Sequence, residues 1–130
     1  MKNLTLALLA SVFLFSCKKS QDPTIEDPIA CTEIFTMIPI QVEKAGNQQP
    51  LTQFYTIDIE LHDTIRENNF LEGYYIVISD NYQQKLKNDT REFLFEGLIN
   101  DEKVVSEVFV IKADECHIEK VSGVEKVVLP

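Results

Sequence analysis

Three cysteines and two histidines are the side chains best suited to chemistry in this sequence of 130 residues. Cysteine can be acylated, oxidised to a disulfide or bound to a metal, and histidine can bind metal or transfer protons. A hydrolytic zinc site needs three protein ligands and an open position. The two histidines, His62 and His117, lie far apart among scattered acidic residues. We therefore expect no metal site and no cofactor, and interpret both as solvated histidines at strand ends.

Cys17 stands at the end of an apolar run, residues 4–15, and directly follows a small residue. The run is too short for a membrane-spanning helix, which needs about 20 apolar residues. With Lys2 in front, it has the length and flanks of a secretion signal. The segment Leu14-Phe15-Ser16-Cys17 resembles a lipobox. Residues 1–16 are therefore predicted to be a lipoprotein signal peptide, and Cys17 to be the acylated residue that anchors the chain in a lipid bilayer.

Charge and composition exclude several classes of partner. The full chain carries −9, and the predicted signal contributes only Lys2, which leaves −10 on the remaining 114 residues. Binding to nucleic acid needs clustered Lys and Arg, so no nucleic-acid partner is expected. Residues 17–30, polar and with two prolines, are predicted to be a tether. Residues 31–130 are then a single domain by size.

Cys31 and Cys116 remain once Cys17 is assigned to lipidation. Two cysteines in an exported protein are expected to form a disulfide in an oxidising compartment. This bond would tie the beginning of the domain to its end. The alternative is a redox-active or metal-binding pair, but the chain has no Cys-x-x-Cys motif and lacks a four-ligand zinc pattern.

From Cys31 onward the hydrophobic pattern has a period of two, which is typical of strands. Pro39 lies inside the first run and indicates an edge strand or a bulge. In the second run, one face is expected in the core and the other in water. His62 is placed on the polar face there. The predicted strands are residues 34–42, 54–61, 73–79, 92–99, 104–112, 117–121 and 126–129, with a turn at Asn100-Asp101.

Seven short strands in about 100 residues indicate an all-β fold, a single antiparallel β-sandwich of the Ig-like or transthyretin-like kind. A closed barrel would need a similar pattern and remains the alternative. Residues 82–91 are polar and are interpreted as a loop, with room for one helical turn. This loop is our first candidate for a contact surface.

The chain resembles small lipoproteins of Bacteroidetes whose single domain is a transthyretin-like or carboxypeptidase-regulatory-like sandwich. The features that carry the resemblance are strand and turn segments across most of the mature chain: the Ser16-Cys17-Lys18-Lys19 junction, residues 31–35, 73–80 and 114–118, and Ser122-Gly123. The resemblance implies a fold and brings no catalytic residue. Asp63-Thr64-Ile65 is also similar to the Asp-Thr/Ser-apolar site at which this phylum O-glycosylates exported proteins, although a three-residue pattern often arises by chance.

No sequence motif indicates an enzyme. No serine lies in a Gly-x-Ser-x-Gly turn, and there is no glycine-rich phosphate loop. The four tyrosines (Tyr55, Tyr74, Tyr75 and Tyr82) could offer a sugar-stacking surface, although core packing accounts for most such residues. Tyr74 and Tyr75 must point to opposite faces of their strand, so one of them is expected to be exposed. His62, His117 and Tyr82 are the candidate ligand contacts.

Two functions remain open at this point. The first is a non-enzymatic binding or structural module, held at the cell envelope as an outer-membrane lipoprotein on the periplasmic face or the cell surface, with an envelope protein or glycan as partner. The alternative is a transthyretin-like carrier of a small molecule, glycan or metal. The carrier would need a cavity, or the convergence of His62 and His117.

Overall fold

The computed structural model describes residues 29–69 and 71–130. The predicted signal peptide, the lipidation site Cys17 and the tether up to residue 28 lie outside the described residues. Within the described part, nine strands and two short helical elements follow one another. They are β1 Met37–Lys44, β2 Asn47–Gln48, β3 Gln53–Asp58, β4 Asp63–Ile65, β5 Tyr74–Ser79, a 3₁₀ helix Asp80–Tyr82, α1 Gln83–Leu86, β6 Thr90–Ile99, β7 Glu102–Ala113, β8 Ile118–Ser122 and β9 Lys126–Leu129.

The hairpin of β6 and β7 is the longest strand pair and follows directly from the sequence pattern. Phe93 and Phe95 on β6 and Phe109 on β7 alternate with more exposed neighbours and are fully buried. Asn100 and Asp101 join the two strands with φ of +50° and +66°. Left-handed φ at both central residues defines a type I′ turn, whose twist matches that of a hairpin. The predicted turn is therefore confirmed.

Two sheets make up the fold, and they confirm the predicted all-β sandwich architecture. The smaller sheet has the order β2-β1-β5, with β9 also paired to β1, and the larger has the order β4-β3-β6-β7-β8. All pairs are antiparallel except β1 with β9, which is parallel. The two strands beyond the predicted seven, β2 and β4, are only two and three residues long. Such short polar segments carry too few residues to display a period of two.

Strand β1 is the inner strand of the smaller sheet. Its register with β5 shifts between Ile38 and Pro39. The extra residue of this bulge, Val77, lies on β5, so Pro39 lies opposite the bulge, where its missing N–H disturbs the ladder least. Of the two positions expected for this proline, the structure has the bulge. The strand begins at Met37 rather than at Ile34, because Ile34 extends into solvent and is 70% exposed.

Strand β3 has the expected alternation, but its buried face is the polar one. Thr56 and Asp58 are 1% and 0% exposed, whereas Ile59 lies beyond the strand and is 37% exposed. Burial of these polar groups is possible because each has a partner. Thr56 donates its hydroxyl to the carbonyl of Val77 on the opposite sheet at 2.6 Å, and Asp58 pairs with Arg91.

Residues 82–91 are not the open loop that their polarity predicted. The 3₁₀ helix and α1 occupy the first half, which confirms the helical turn, and β6 already begins at Thr90. Tyr82, Gln83 and Leu86 are buried. Six of its ten residues, Gln84, Lys85, Lys87, Asn88, Asp89 and Thr90, are exposed, so the use of this segment as a contact surface stays a prediction. No helix within the described residues is long and apolar enough to cross a membrane.

Candidate functional site

The disulfide between Cys31 and Cys116 organises the end of the molecule where chemistry-bearing side chains meet. The two Cα atoms lie 5.3 Å apart, and 85 positions separate the cysteines in the sequence. The predicted pairing is confirmed. Residues 29–36, here called the N-terminal arm, precede β1 and are held by this bond against the turn between β7 and β8.

Asp114 shapes the turn that carries Cys116. Its Oδ1 accepts the backbone N–H groups of Cys116 at 2.7 Å and His117 at 2.8 Å. These hydrogen bonds, that of His117 first, hold the pKa of Asp114 below its ordinary value. Gln83 on α1 donates its amide to the carbonyl oxygen of Asp114 at 2.6 Å. The backbone of His117 is therefore held by the Asp114 side chain, and the Asp114 backbone is in turn held by Gln83.

Asp80 lies at the end of β5 and binds three groups of this end of the molecule. Its carboxylate accepts the backbone N–H of Thr36 at 2.8 Å, that of Ile118 at 2.9 Å and the ring Nδ1 of His117 at 2.8 Å. Burial alone would raise the pKa of Asp80, but the hydrogen bonds, that of Thr36 first, outweigh it and hold the pKa below its ordinary value. The side chain is thus an anionic acceptor that is only 10% exposed.

Thr32, His117 and Asp80 form a row, which we call the triad. Thr32 Oγ1 lies 2.9 Å from His117 Nε2, and the other ring nitrogen faces Asp80. An ionised carboxylate only accepts hydrogen bonds, so Nδ1 carries the ring proton. In the neutral ring, Nε2 is then the acceptor of the Thr32 hydroxyl. This is the order of a hydroxyl, an imidazole and a carboxylate that activates nucleophiles in acyl transfer.

The sequence reasoning identified His117 but missed Thr32 and Asp80. A signal for Thr32 was present, because the predicted disulfide places the residues next to its two cysteines, Thr32 and His117, close together. Asp80 gave no such signal. It follows a strand in an ordinary turn sequence, and it meets the imidazole only because the end of β5 in the smaller sheet lies next to the start of β8 in the larger sheet.

Tyr82 is not an accessible ligand contact, contrary to the sequence prediction. It is 5% exposed, and its hydroxyl donates to Asp58 at 3.0 Å and approaches Asp63 at 3.3 Å. Burial, followed by the hydrogen bond to Asp58, raises the pKa of Tyr82 well above its ordinary value. A neutral buried tyrosine that bonds carboxylates serves packing rather than ligand binding.

His62 lies in the turn after β3 and not on a strand face, which corrects the sequence prediction. Its φ is +56°, and its side chain is exposed. His117 is bound on both ring nitrogens by Thr32 and Asp80. The surroundings of the two histidines are therefore separate. Among the residues that the structure describes, no group of three or more His, Cys, Asp and Glu is arranged to hold a metal ion.

The tyrosines do not form one stacking surface. Tyr75 is 3% exposed, and its hydroxyl bonds the backbone of Gln49 and Leu51. Tyr55 donates its hydroxyl to Glu96 at 2.6 Å. Tyr74 is half-buried, so neither ring of the adjacent pair is exposed, contrary to the sequence prediction.

Tyr74 borders an open groove of about 400 Å³ between the first half of β1 and the connection from β8 to β9. The groove is lined by Met37, Ile38, Pro39, Gln41, Tyr74, Lys120 and Glu125. It exists because β9 pairs with β1 only from Gln41 onward, which leaves the earlier part of that strand edge open. An aromatic ring beside amide, ammonium and carboxylate groups can bind a ligand that has both apolar faces and hydroxyl groups.

Thr64 lies on β4, a strand at the edge of the larger sheet, and its side chain is exposed. That position satisfies the accessibility that O-glycosylation would need. Its neighbour Asp63 pairs with Lys85 at 2.7 Å. Glycosylation of Thr64 stays a prediction.

The chain matches no protein-family model, and no curated protein or solved structure matches it either.

Proposed function

We propose that this protein is an exported lipoprotein of the cell envelope, anchored through acylated Cys17, whose β-sandwich binds a saccharide-containing envelope ligand. The observation that carries the binding function is the groove beside Tyr74, where an aromatic face and hydrogen-bonding side chains line one concave surface. The observation that carries the anchor is the Ser16-Cys17 junction after a short apolar run.

The disulfide supports the role of a tethered module. Because Cys31 is bonded to Cys116, the chain free to act as a tether ends at residue 30. Residues 17–30 could reach at most about 50 Å when fully extended. The domain is thereby held close to the bilayer, and any pull on the tether is transmitted through the disulfide into the larger sheet.

The chemistry of the groove favours a sugar over a purely apolar ligand. The half-buried ring of Tyr74 offers a face to the C–H groups of a pyranose. Gln41, Lys120 and Glu125 offer donors and acceptors for its hydroxyl groups. The Lys120 ammonium and the Glu125 carboxylate lie 3.3 Å apart, so the groove carries both charges and no large field of one sign.

Binding is tested by titrating the purified full-length protein, in mild detergent, with a panel of envelope-derived oligosaccharides and measuring affinity by calorimetry. Tyr74→Ala should weaken binding by at least about 10-fold, in line with loss of one stacking contact. Tyr74→Phe keeps the ring and should retain most of the affinity. Equal binding by wild type and Tyr74→Ala, or no binding by any member of the panel, contradicts the proposed ligand.

The anchor is tested by Cys17→Ser. The variant should lose metabolic labelling by a fatty-acid analogue and should no longer sediment with membranes, because several acyl chains are needed for stable anchoring. Continued lipid labelling of Cys17→Ser would contradict the anchor without bearing on the groove. Protease treatment of intact cells then decides between the periplasmic face and the cell surface.

A further inference from the structure

We propose that Thr32 is a nucleophile, that His117 activates it as a general base, and that Asp80 orients His117. The triad would then cleave small carboxylic esters through an acyl-threonine intermediate. This inference goes beyond the proposed binding function and does not depend on the groove. It also departs from the expectation, drawn from sequence motifs, that the protein is not an enzyme.

The geometry matches what nucleophilic catalysis requires of a hydroxyl and its base. Thr32 Oγ1 is within hydrogen-bond reach of His117 Nε2, at 2.9 Å, and the opposite ring nitrogen is fixed by Asp80 at 2.8 Å. A nucleophile and base at this separation, with the base oriented by a third group, is the recurring arrangement in acyl transfer on unrelated folds. No sequence motif is needed, because only the geometry is shared.

The base and its carboxylate are rigidly mounted. Asp80 is held by the backbone N–H groups of Thr36 and Ile118 in addition to the imidazole, and the backbone of His117 is held by Asp114. Such fixed partners keep the imidazole in the tautomer in which Nε2 is free to accept a proton. The disulfide next to both Thr32 and His117 holds the arm against this frame.

The reacting atoms are accessible to a small substrate. Thr32 is exposed, and the side chain of His117 is 25% exposed. A shallow cavity of about 330 Å³ opens beside the imidazole, lined by Lys112, Ala113, Asp114, His117, Ile118 and Glu119. Two exposed apolar residues, Ile34 and Phe35, follow Thr32 along the arm. The cavity borders the imidazole and not Thr32 itself, so the substrate class that we propose is an ester small enough to reach the exposed Thr32 hydroxyl.

The reaction balances without any added redox partner or metal. Thr32 Oγ1 forms a bond to the ester carbonyl carbon while its proton passes to His117 Nε2, and the bond from that carbon to the alcohol oxygen then breaks. The alcohol leaves with the proton from Nε2. A water molecule then attacks the acyl-threonine, gives one proton to Nε2, and releases the carboxylic acid as Thr32 regains its hydroxyl proton.

A structural clasp is the competing interpretation, because the same hydrogen bonds would also fasten the N-terminal arm. The two roles differ in the consequence of small changes at Thr32. In a purely structural role, the Thr32 hydroxyl only has to form its hydrogen bond to His117 and does not react. A nucleophile becomes covalently acylated at a single defined oxygen.

The test uses the full-length protein, purified in mild detergent, with p-nitrophenyl acetate as the probe. Wild type should release p-nitrophenolate faster than Thr32→Val by about 10²-fold or more, because the variant lacks the hydroxyl whose activation by a general base usually contributes at least that factor. Thr32→Ser keeps a hydroxyl at the same place and should retain activity. Peptide mapping by mass spectrometry should locate an acetyl group on Thr32 of the wild type. The corresponding peptide of Thr32→Val should carry no acetyl group at position 32.

Two further variants separate the base from the positioning residue. His117→Gln should reduce the rate to that of Thr32→Val, and Asp80→Asn should lower kcat while leaving KM nearly unchanged.

Equal rates for wild type and Thr32→Val, or acetylation confined to lysines in both proteins, would overturn the proposal and leave the triad as a clasp. Melting temperatures and free-thiol titration accompany each variant. Thr32→Val remains informative even if His117→Gln or Asp80→Asn unfolds, because Thr32 is exposed and makes one hydrogen bond there.

Discussion

Asp58 on β3 and Arg91 on β6 form a buried ion pair, with 2.6 Å between Asp58 Oδ2 and a terminal guanidinium nitrogen. Their residues are 0% and 7% exposed. Tyr82 donates to the same carboxylate oxygen, and Asp89 accepts from Arg91 Nε at 3.0 Å. Asp58 also accepts the backbone N–H groups of the turn after β3, which links this turn to the cluster.

Arg91→Met should lower the free energy of unfolding by about 3–5 kcal/mol, because it removes one partner of a buried pair and leaves Asp58 charged and uncompensated. Urea denaturation followed by circular dichroism measures the change. The cost arises from the charge left behind, so Asp58→Asn combined with Arg91→Met should regain part of the lost stability.

The matched control is Lys112→Met, which breaks the pair of Lys112 with Glu119 on the surface. These side chains are 48% and 68% exposed, so water and salt screen their attraction and little change is expected. An Arg91→Met variant as stable as Lys112→Met would show that the buried pair does not matter for stability.

The pair of Asp58 and Arg91 marks the limit of what the hydrophobic pattern could predict about the fold. The period of two located seven strands, and the predicted bounds of β9 match the structure, where Val127 and Leu129 alternate with the exposed Lys126 and Val128. The pattern could not say which face of β3 is buried. An aspartate on a strand is ordinarily placed in water, and its burial is tolerable here because of partners far along the chain, Tyr82 and Arg91, the latter 33 positions later.

The candidate site shows a similar division. The bond between Cys31 and Cys116 was predictable, because these are the two cysteines that remain once Cys17 is assigned to lipidation in a chain predicted to be exported. The role of Asp80 was not predictable. Its contacts with Thr36 and Ile118 depend on how two sheets meet at one end of the sandwich, and no local pattern encodes that meeting.

Removing the disulfide should destabilise the domain strongly. Because the bond closes a loop of 85 positions, the chain-entropy model gives a loss of about 4–5 kcal/mol for Cys31→Ser combined with Cys116→Ser. Urea denaturation with and without reductant measures it, and the double variant should be insensitive to reductant. An unchanged midpoint under conditions where titration finds both thiols free would contradict this stabilising role.

Glu96 should make the domain sensitive to acid. It is 5% exposed, and the hydrogen bond from Lys103, followed by that from Tyr55, holds its pKa below the ordinary value. A group whose pKa is lower in the folded chain adds stability above the unfolded pKa and loses that contribution as the pH falls through the folded pKa. The free energy of unfolding should therefore decline as the pH falls below the ordinary pKa of glutamate, about 4.3.

Glu96→Gln tests this origin, because the amide keeps the shape of the side chain and does not titrate. Its stability at neutral pH should be lower than that of wild type, and its decline on acidification should be less steep, with other carboxylates such as Asp80 and Asp114 accounting for the remainder. Urea denaturation at several pH values gives both slopes. Parallel curves for the two proteins would assign the acid sensitivity to groups other than Glu96.

Gly123, in the turn between β8 and β9, should tolerate no side chain. Its φ is +134°, and an added Cβ would lie 2.3 Å from Cδ1 of Phe109, a fully buried ring. Gly123→Ala should therefore cost more than the roughly 1 kcal/mol expected from backbone strain alone. Gly46 is the control, because it also has positive φ but an added Cβ there meets nothing within 4 Å. If thermal denaturation gives Gly123→Ala and Gly46→Ala the same melting temperature, then the ring of Phe109 moves aside more easily than its packing implies.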